Sequence, residues 1–163
     1  MFKKLFGKKT REENITAPLT GRIFSLENVP DPVFSQKMMG EGFAIEPTNG
    51  EVVAPIDGEI VQLFHTKHAI GLKTENGAEI IIHVGLETVA MEGEGFTAHV
   101  KEGSKVKKGD KLLTVDLEKV REKAKSTVTP VVVTNSADSE KISLVATDSV
   151  IKGETVCMTV TMK

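Results

Sequence analysis

From Glu12 to the C-terminus the chain is cut into short β-rich runs by Gly, Pro, Asn and Asp, too closely spaced for helices of ordinary length. The runs fall at residues 21–26, 42–46, 50–53, 58–64, 69–73, 78–84, 97–99, 111–116, 131–134, 142–146 and 155–162. Only two segments read as helical: 117–125, behind Asp116 as N-cap, and a turn over 32–38, where Pro32 follows Asp31. The pattern predicts an all-β, antiparallel β-sandwich with very little helix. A local repeat, Thr16-Ala-Pro-Leu-Thr-Gly-Arg-Ile23 against Val53-Ala-Pro-Ile-Asp-Gly-Glu-Ile60, recurs at an offset of 37 and points to two similar halves. Residues 102–113 add turn and hairpin grammar, with Gly103 and Gly109 at positive-φ positions. Biotinyl and lipoyl carrier domains share that grammar, but their exposed Met-Lys-Met is missing here.

A chain of 163 residues fits one domain, and 39% apolar with 27% charged residues excludes a disordered or fibrous chain. The net charge of −2 is uneven, because Lys3, Lys4, Lys8 and Lys9 precede every acid and leave 17 basic against 23 acidic residues in the body. An acidic body argues against nucleic acid and suits a basic protein partner. The single Cys157 excludes an internal disulfide and suits a reducing, cytoplasmic setting. Residues 1–14 read as a flexible basic N-terminal segment and 15–163 as the domain. Phe2, Leu5 and Phe6 share one helical face opposite lysines, so residues 1–9 are amphipathic and suited to weak contact with an anionic membrane surface. No stretch has the length of a secretory signal core or a membrane span. No surface is assigned to oligomerisation, and a monomer is the default.

The chemistry falls to the histidines, since no Gly-x-Ser-x-Gly elbow occurs and Cys157 lies in a strand-like run. Asn76-Gly77 is the strongest hairpin signal in the chain. With these two as the turn, 70 faces 83 and 68 faces 85, so His68 and His83 share a face as diagonal neighbours, roughly 7 to 8 Å apart. A three-residue loop would reverse the parity and separate them. By the same count His65 points away and His99 belongs to another segment. His83 lies within Ile80-Ile-Ile-His-Val-Gly-Leu86, where apolar surroundings favour a neutral, nucleophilic imidazole. A second histidine can donate a hydrogen bond to an anionic group held on the first, and Thr66, two residues before His68, can steady that donor. Phosphoryl transfer, which needs mainly positioning and electrostatic stabilisation, suits so sparse a site.

At these residues the chain resembles a known family. Gly77-Ala-Glu-Ile-Ile-Ile-His-Val-Gly-Leu-Glu-Thr-Val89 is similar to the phosphorylation-site signature of the glucose-class IIA component of the bacterial phosphoenolpyruvate-dependent sugar phosphotransferase system. The likeness continues through Val29-Pro-Asp-Pro-Val-Phe34, Met38-Met-Gly-Glu-Gly-Phe43, His68-Ala-Ile70, Gly93-Glu-Gly-Phe96 and Lys125-Ser-Thr-Val-Thr-Pro-Val131. It implies a β-sandwich of the duplicated hybrid-motif type with a shallow apolar depression around two histidines. It also implies that His83 takes a phosphoryl group on its ε nitrogen from the carrier HPr and passes it to a IIB component, without a cofactor. His68 would hydrogen-bond the phosphate, with Thr66 in the same network. The docking rim implied is Asp31, Val33, Phe34, Met38, Met39, Phe64, Ile81, Glu87 and Val89. Many members carry Phe at the positions of Ile81 and Val84 and smaller aliphatics at Met38 and Met39, differences that bear on partner fit. Where many relatives are fused to a sugar-transporting component, this chain reads as free-standing.

Two other readings compete. Lysostaphin-type zinc hydrolases resemble this β architecture, but their open three-ligand shell includes a His-x-His pair that does not occur here, and no metal site is assigned. A regulator switched by phosphorylation would use the same apolar patch, altered by about two negative charges.

Overall fold

The computed structural model describes residues 11–163; what the sequence suggests for residues 1–10 lies outside the described part. Among the described residues fourteen strands run in chain order: β1 (Glu12–Thr16), β2 (Gly21–Ser25), β3 (Glu41–Pro47), β4 (Glu51–Val53), β5 (Gly58–Leu63), β6 (Ala69–Thr74), β7 (Glu79–His83), β8 (Phe96–Ala98), β9 (Lys105–Val106), β10 (Lys111–Val115), β11 (Thr129–Val133), β12 (Ser139–Leu144), β13 (Ser149–Val150) and β14 (Val156–Met162). Two short helices accompany them, α1 (Pro32–Ser35) and α2 (Leu117–Lys123). The expected strands are present with ends moved by up to three residues, and β1, β9 and β13 were not expected. β1 starts at Glu12, inside the segment read as a tail, because its backbone pairs with β14 from Glu12↔Thr161 onward.

The strands form one eight-stranded antiparallel sheet, β13-β2-β3-β11-β7-β6-β5-β9, and two three-stranded sheets, β1-β14-β12 and β4-β10-β8. Alternate residues of the large sheet, among them Ile70, Leu72, Ile80, Ile82, Val131 and Phe43, share one apolar core with Ile15, Met158, Leu112 and Leu113 of the smaller sheets. This is the predicted β-sandwich, and its halves are alike. The repeated segments lead into β2 and β5, which lie second from opposite edges of the large sheet. There Gly21 pairs with Val150 and Gly58 with Val106. The carbonyls of Ala17 and Ala54 accept from the N–H groups of Gly153 and Gly109, each at 2.8 Å.

The opposite parity of the large sheet faces outward, and a second apolar cluster covers it: Leu26, Val29, Phe34, Ala44, Leu86 and Val132, with Ile81 and Met39 against it. Asp31 starts the short α1 by accepting from the N–H of Val33 at 3.0 Å. The helix ends at Ser35, earlier than expected, and two residues on Lys37 turns left-handed at φ 59°. The N-terminal cap of α2 is Asp116, as expected, accepting from Lys119 N–H.

The β6–β7 hairpin corrects the sequence reading. Lys73 pairs with Glu79 and Ala69 with His83, so the loop holds three residues, Glu75, Asn76 and Gly77. A two-residue type I′ turn needs positive φ at both Asn76 and Gly77, and only Gly77 has it, at 96°. Thr74 closes the longer loop. Its N–H donates to Ala78 at 2.9 Å and its hydroxyl donates to Glu13 at 2.6 Å, while that hydroxyl also accepts from Ala78 N–H at 3.0 Å. The carboxyl of Glu13 is buried and raised above the usual range, by desolvation first.

A candidate phosphoryl-transfer site on the outer face of the sheet

His83 ends β7 on the outward parity shared with Ile81, so its ring lies against the second apolar cluster, with the Phe34 ring centroid 5.1 Å away. The reversed parity of the hairpin did not separate the two histidines. His68 stands just before β6, and its ring centroid is 5.0 Å from that of His83 at an interplanar angle of 78°. Phe64 packs edge-on against His68 at 5.4 Å. His68 is only 4% exposed, whereas His65 is exposed. His99 is exposed too and is engaged with Thr114, far along the chain.

One hydrogen bond fixes the ring proton of His83. His83 Nδ1 stands 2.8 Å from the carbonyl oxygen of Gly85, which only accepts, so Nδ1 carries the proton and Nε2 keeps its lone pair. Thr66 Oγ1 is hydrogen-bonded to Nδ1 of His68. If that hydroxyl donates, His68 has its proton on Nε2 and is a donor on that side. Burial depresses both basicities. His68 is lowered to about 4, by desolvation and then by the charge of His83. His83 is lowered mainly by desolvation, against the Gly85 carbonyl and Asp31, which favour its charged form. Both rings are therefore neutral at neutral pH.

A depression of about 240 Å³ adjoins His83, lined by Asp31, Val33, Phe34, Met39, Glu87, Thr88 and Val89. Six of the nine residues named for the rim, Asp31, Val33, Phe34, Met39, Glu87 and Val89, line this depression. Val89 is 56% exposed, while Phe34 is buried at 3% and forms part of the floor. Ile81 and Phe64 are half-buried beside the histidines, and Met38, 69% exposed, stands outside the lining. Two contributors were missed. Thr88, wholly buried, donates its hydroxyl to the carbonyl of Val84 at 2.7 Å. Gly85, at φ 75°, supplies the carbonyl that orients His83, and a Cβ there would lie 2.6 Å from Thr88 Cγ2 and 2.9 Å from the Ser126 carbonyl. In the sequence, Gly85 two residues past His83 signals only a turn. Among the described residues no three His, Cys, Asp or Glu side chains gather as a metal shell.

Comparison with known proteins agrees with this geometry. Residues 13–139 match the model of the phosphoenolpyruvate-dependent sugar phosphotransferase system, EIIA 1 family. The glucose-specific EIIA component of Bacillus cereus is 64% identical, with all of both chains covered. That of Staphylococcus epidermidis is 52% identical over 99% of each. The solved glucose permease IIA of Mycoplasma capricolum superposes with a TM-score of 0.85 at 39% identity, covering 90% of this chain and 95% of that one. The paired histidines, the outward depression and these matches place the chain in the EIIA type 1 family of the sugar phosphotransferase system.

Proposed function

We propose that His83 Nε2 is the phosphoryl carrier atom of this phosphotransferase component. It takes the group from phosphorylated HPr and delivers it to the IIB component of a glucose-type permease. The observation that carries this is the His83 Nδ1–Gly85 carbonyl bond, which leaves Nε2 as the one basic lone pair of a neutral ring. In the accepting step that lone pair forms a P–N bond as the P–N bond to the HPr histidine breaks, and the HPr ring recovers its electron pair. Delivery runs the same exchange toward a nucleophile on IIB. His68 donates from Nε2 to the phosphoryl oxygens, where charge is highest as the group passes between two nitrogens or onward. Thr66 holds His68 in that role. The apolar floor of Phe34 and Ile81 keeps water from the ring, and Asp31 and Glu87 meet basic groups on the partner. The protein works in the cytoplasm as a monomer, with residues 1–9 in weak contact with the membrane surface. Among the described residues no helix is long and apolar enough to cross a membrane.

The test is incubation with phosphoenolpyruvate, enzyme I and HPr, followed by intact mass and acid-lability analysis, with His83→Ala beside the wild type. One acid-labile phosphate per chain, absent from the variant, is expected. An unmodified wild type beside phosphorylated HPr would overturn the proposal.

A further inference from the structure

The β6–β7 register sets a puzzle about His68. Ala69 pairs with His83 and Ile70 with Ile82, and the carbonyl of His68 accepts from Val84 N–H at 2.7 Å, so residue 68 continues the ladder opposite Val84. Val84 belongs to the core between the sheets. By pleat alone, residue 68 would point into that core, on the face away from His83. Its ring instead lies beside His83.

The turn before it provides the reversal. Phe64 N–H donates to Ala69 and Lys67 N–H donates to Phe64, which leaves His65, Thr66, Lys67 and His68 as a four-residue hairpin loop. Lys67 is left-handed, φ 60°, where glycine or asparagine is the usual occupant. Short hairpin loops of this kind are most often built around a type I turn. The other side of the loop is backed by Gly93, whose Cβ position would lie 3.6 Å from the Thr66 carbonyl. Among the described residues, three of the four left-handed non-glycine residues, Lys67, Glu87 and Glu92, lie in the segments that build this site.

We infer that Lys67 is a positioning residue for the phosphoryl-transfer site: its left-handed backbone, and not its ammonium group, carries His68 from the core parity to the side of His83. The inference rests on the assigned pairing of the two histidines. It adds a residue whose side chain is exposed.

The series Lys67→Gly, Lys67→Asn, Lys67→Ala and Lys67→Val separates backbone from charge. Gly and Asn tolerate positive φ, Ala tolerates it about as poorly as Lys, and β-branched Val resists it. The first three should retain onward transfer to IIB within about threefold of wild type, whereas Val should lose it by about a hundredfold while still accepting from HPr, as when a transition-state donor is withdrawn. The second readout needs no phosphoryl donor. The His68 ring, followed by NMR, should protonate near 4 in wild type, Gly, Asn and Ala, and move back toward its ordinary value of 6.5 in Val, with loss of ring contacts to His83. Should Val not fold, the melting points of Gly and Ala decide. Glycine melts higher than alanine only where the residue is left-handed, and the reverse order overturns the inference. Loss of transfer in Ala, Asn and Gly alike, with the ring contacts intact, would make the ammonium the active part and overturn it too. A wild type that accepts no phosphate would sink the carrier reading, and the ring titration would still judge Lys67.

Discussion

Thr88 and Val84 are joined by a 2.7 Å hydrogen bond from the threonine hydroxyl to the valine carbonyl, made by a side chain with no exposure to solvent. The bond closes the tight turn in which the Gly85 carbonyl faces His83 Nδ1. Thr88→Val keeps the methyl that packs on Gly85 and removes the donor, and should cost about 1 to 3 kcal/mol. For a chain of this size that is a melting point lower by roughly 3 to 10 °C. Urea titration and the ¹⁵N shifts of His83 would report it. An unchanged midpoint together with unchanged ring shifts would show that the turn is held without Thr88.

His68→Ala should still accept a phosphoryl group on His83, because the nucleophile and its apolar surroundings survive. Onward transfer should fall by about 10²- to 10³-fold, the cost of removing one donor from developing negative charge. Rapid-quench assays with HPr and IIB would separate the two steps. Wild-type onward rates in this variant would remove His68 from the mechanism.

Acid stability follows from the depressed histidines. A histidine that is neutral in the fold but protonates at 6.5 once unfolded makes the unfolded state the better proton binder below 6.5, so stability falls as pH drops. For His68 the loss begins near 6.5 and levels off below about 4, with a size up to about 3 kcal/mol. Urea midpoints measured from pH 7.5 to 4 should decline over that window, and His68→Gln should flatten the decline. Phosphoryl acceptance should persist somewhat below pH 6.5, because burial lowers His83 as well.

Charge reversal at Asp31 or Glu87 tests the rim. Both border the depression beside His83. Asp31→Lys and Glu87→Lys should each lower the second-order rate with HPr by about tenfold and weaken its salt dependence, since rim charges act mainly on encounter. Asp31→Lys also removes the α1 cap, at about 1 kcal/mol, so Glu87→Lys is the cleaner reading. Stopped-flow measurement at two ionic strengths decides it.

The strands with strong β composition were legible from residue types alone, as were both helix caps. The two-residue strands β9 and β13 were not, because two residues carry no period. Their relation is nonetheless written in the chain: Val106-Lys-Lys-Gly-Asp110 and Val150-Ile-Lys-Gly-Glu154 occupy matching places beside β5 and β2. The pairing of His68 with His83 was anticipated through the wrong register. Asn76-Gly77 signalled a hairpin correctly, but loop length depended on Thr74 and its bond to Glu13, 61 residues away. Gly85 and Thr88 sat in view within the signature. Their part depends on a carbonyl direction, which residue type does not encode.

The depression beside His83 is bordered by the exposed side chains of Val33 and Val89. On the proposed role of His83, a phosphoryl group on Nε2 would be guarded by timing instead of by a lid. Between encounters its safety would lie in the exposed Val33 and Val89 above the buried Phe34 floor, which offer hydrolytic water few partners. On the same proposal, the next protein in the relay would become the missing wall at the moment of hand-over. Selectivity among recipients then takes the form of a sealing test: a protein that covers that border sets the clock of transfer, and one that covers it badly leaves the cargo where it was.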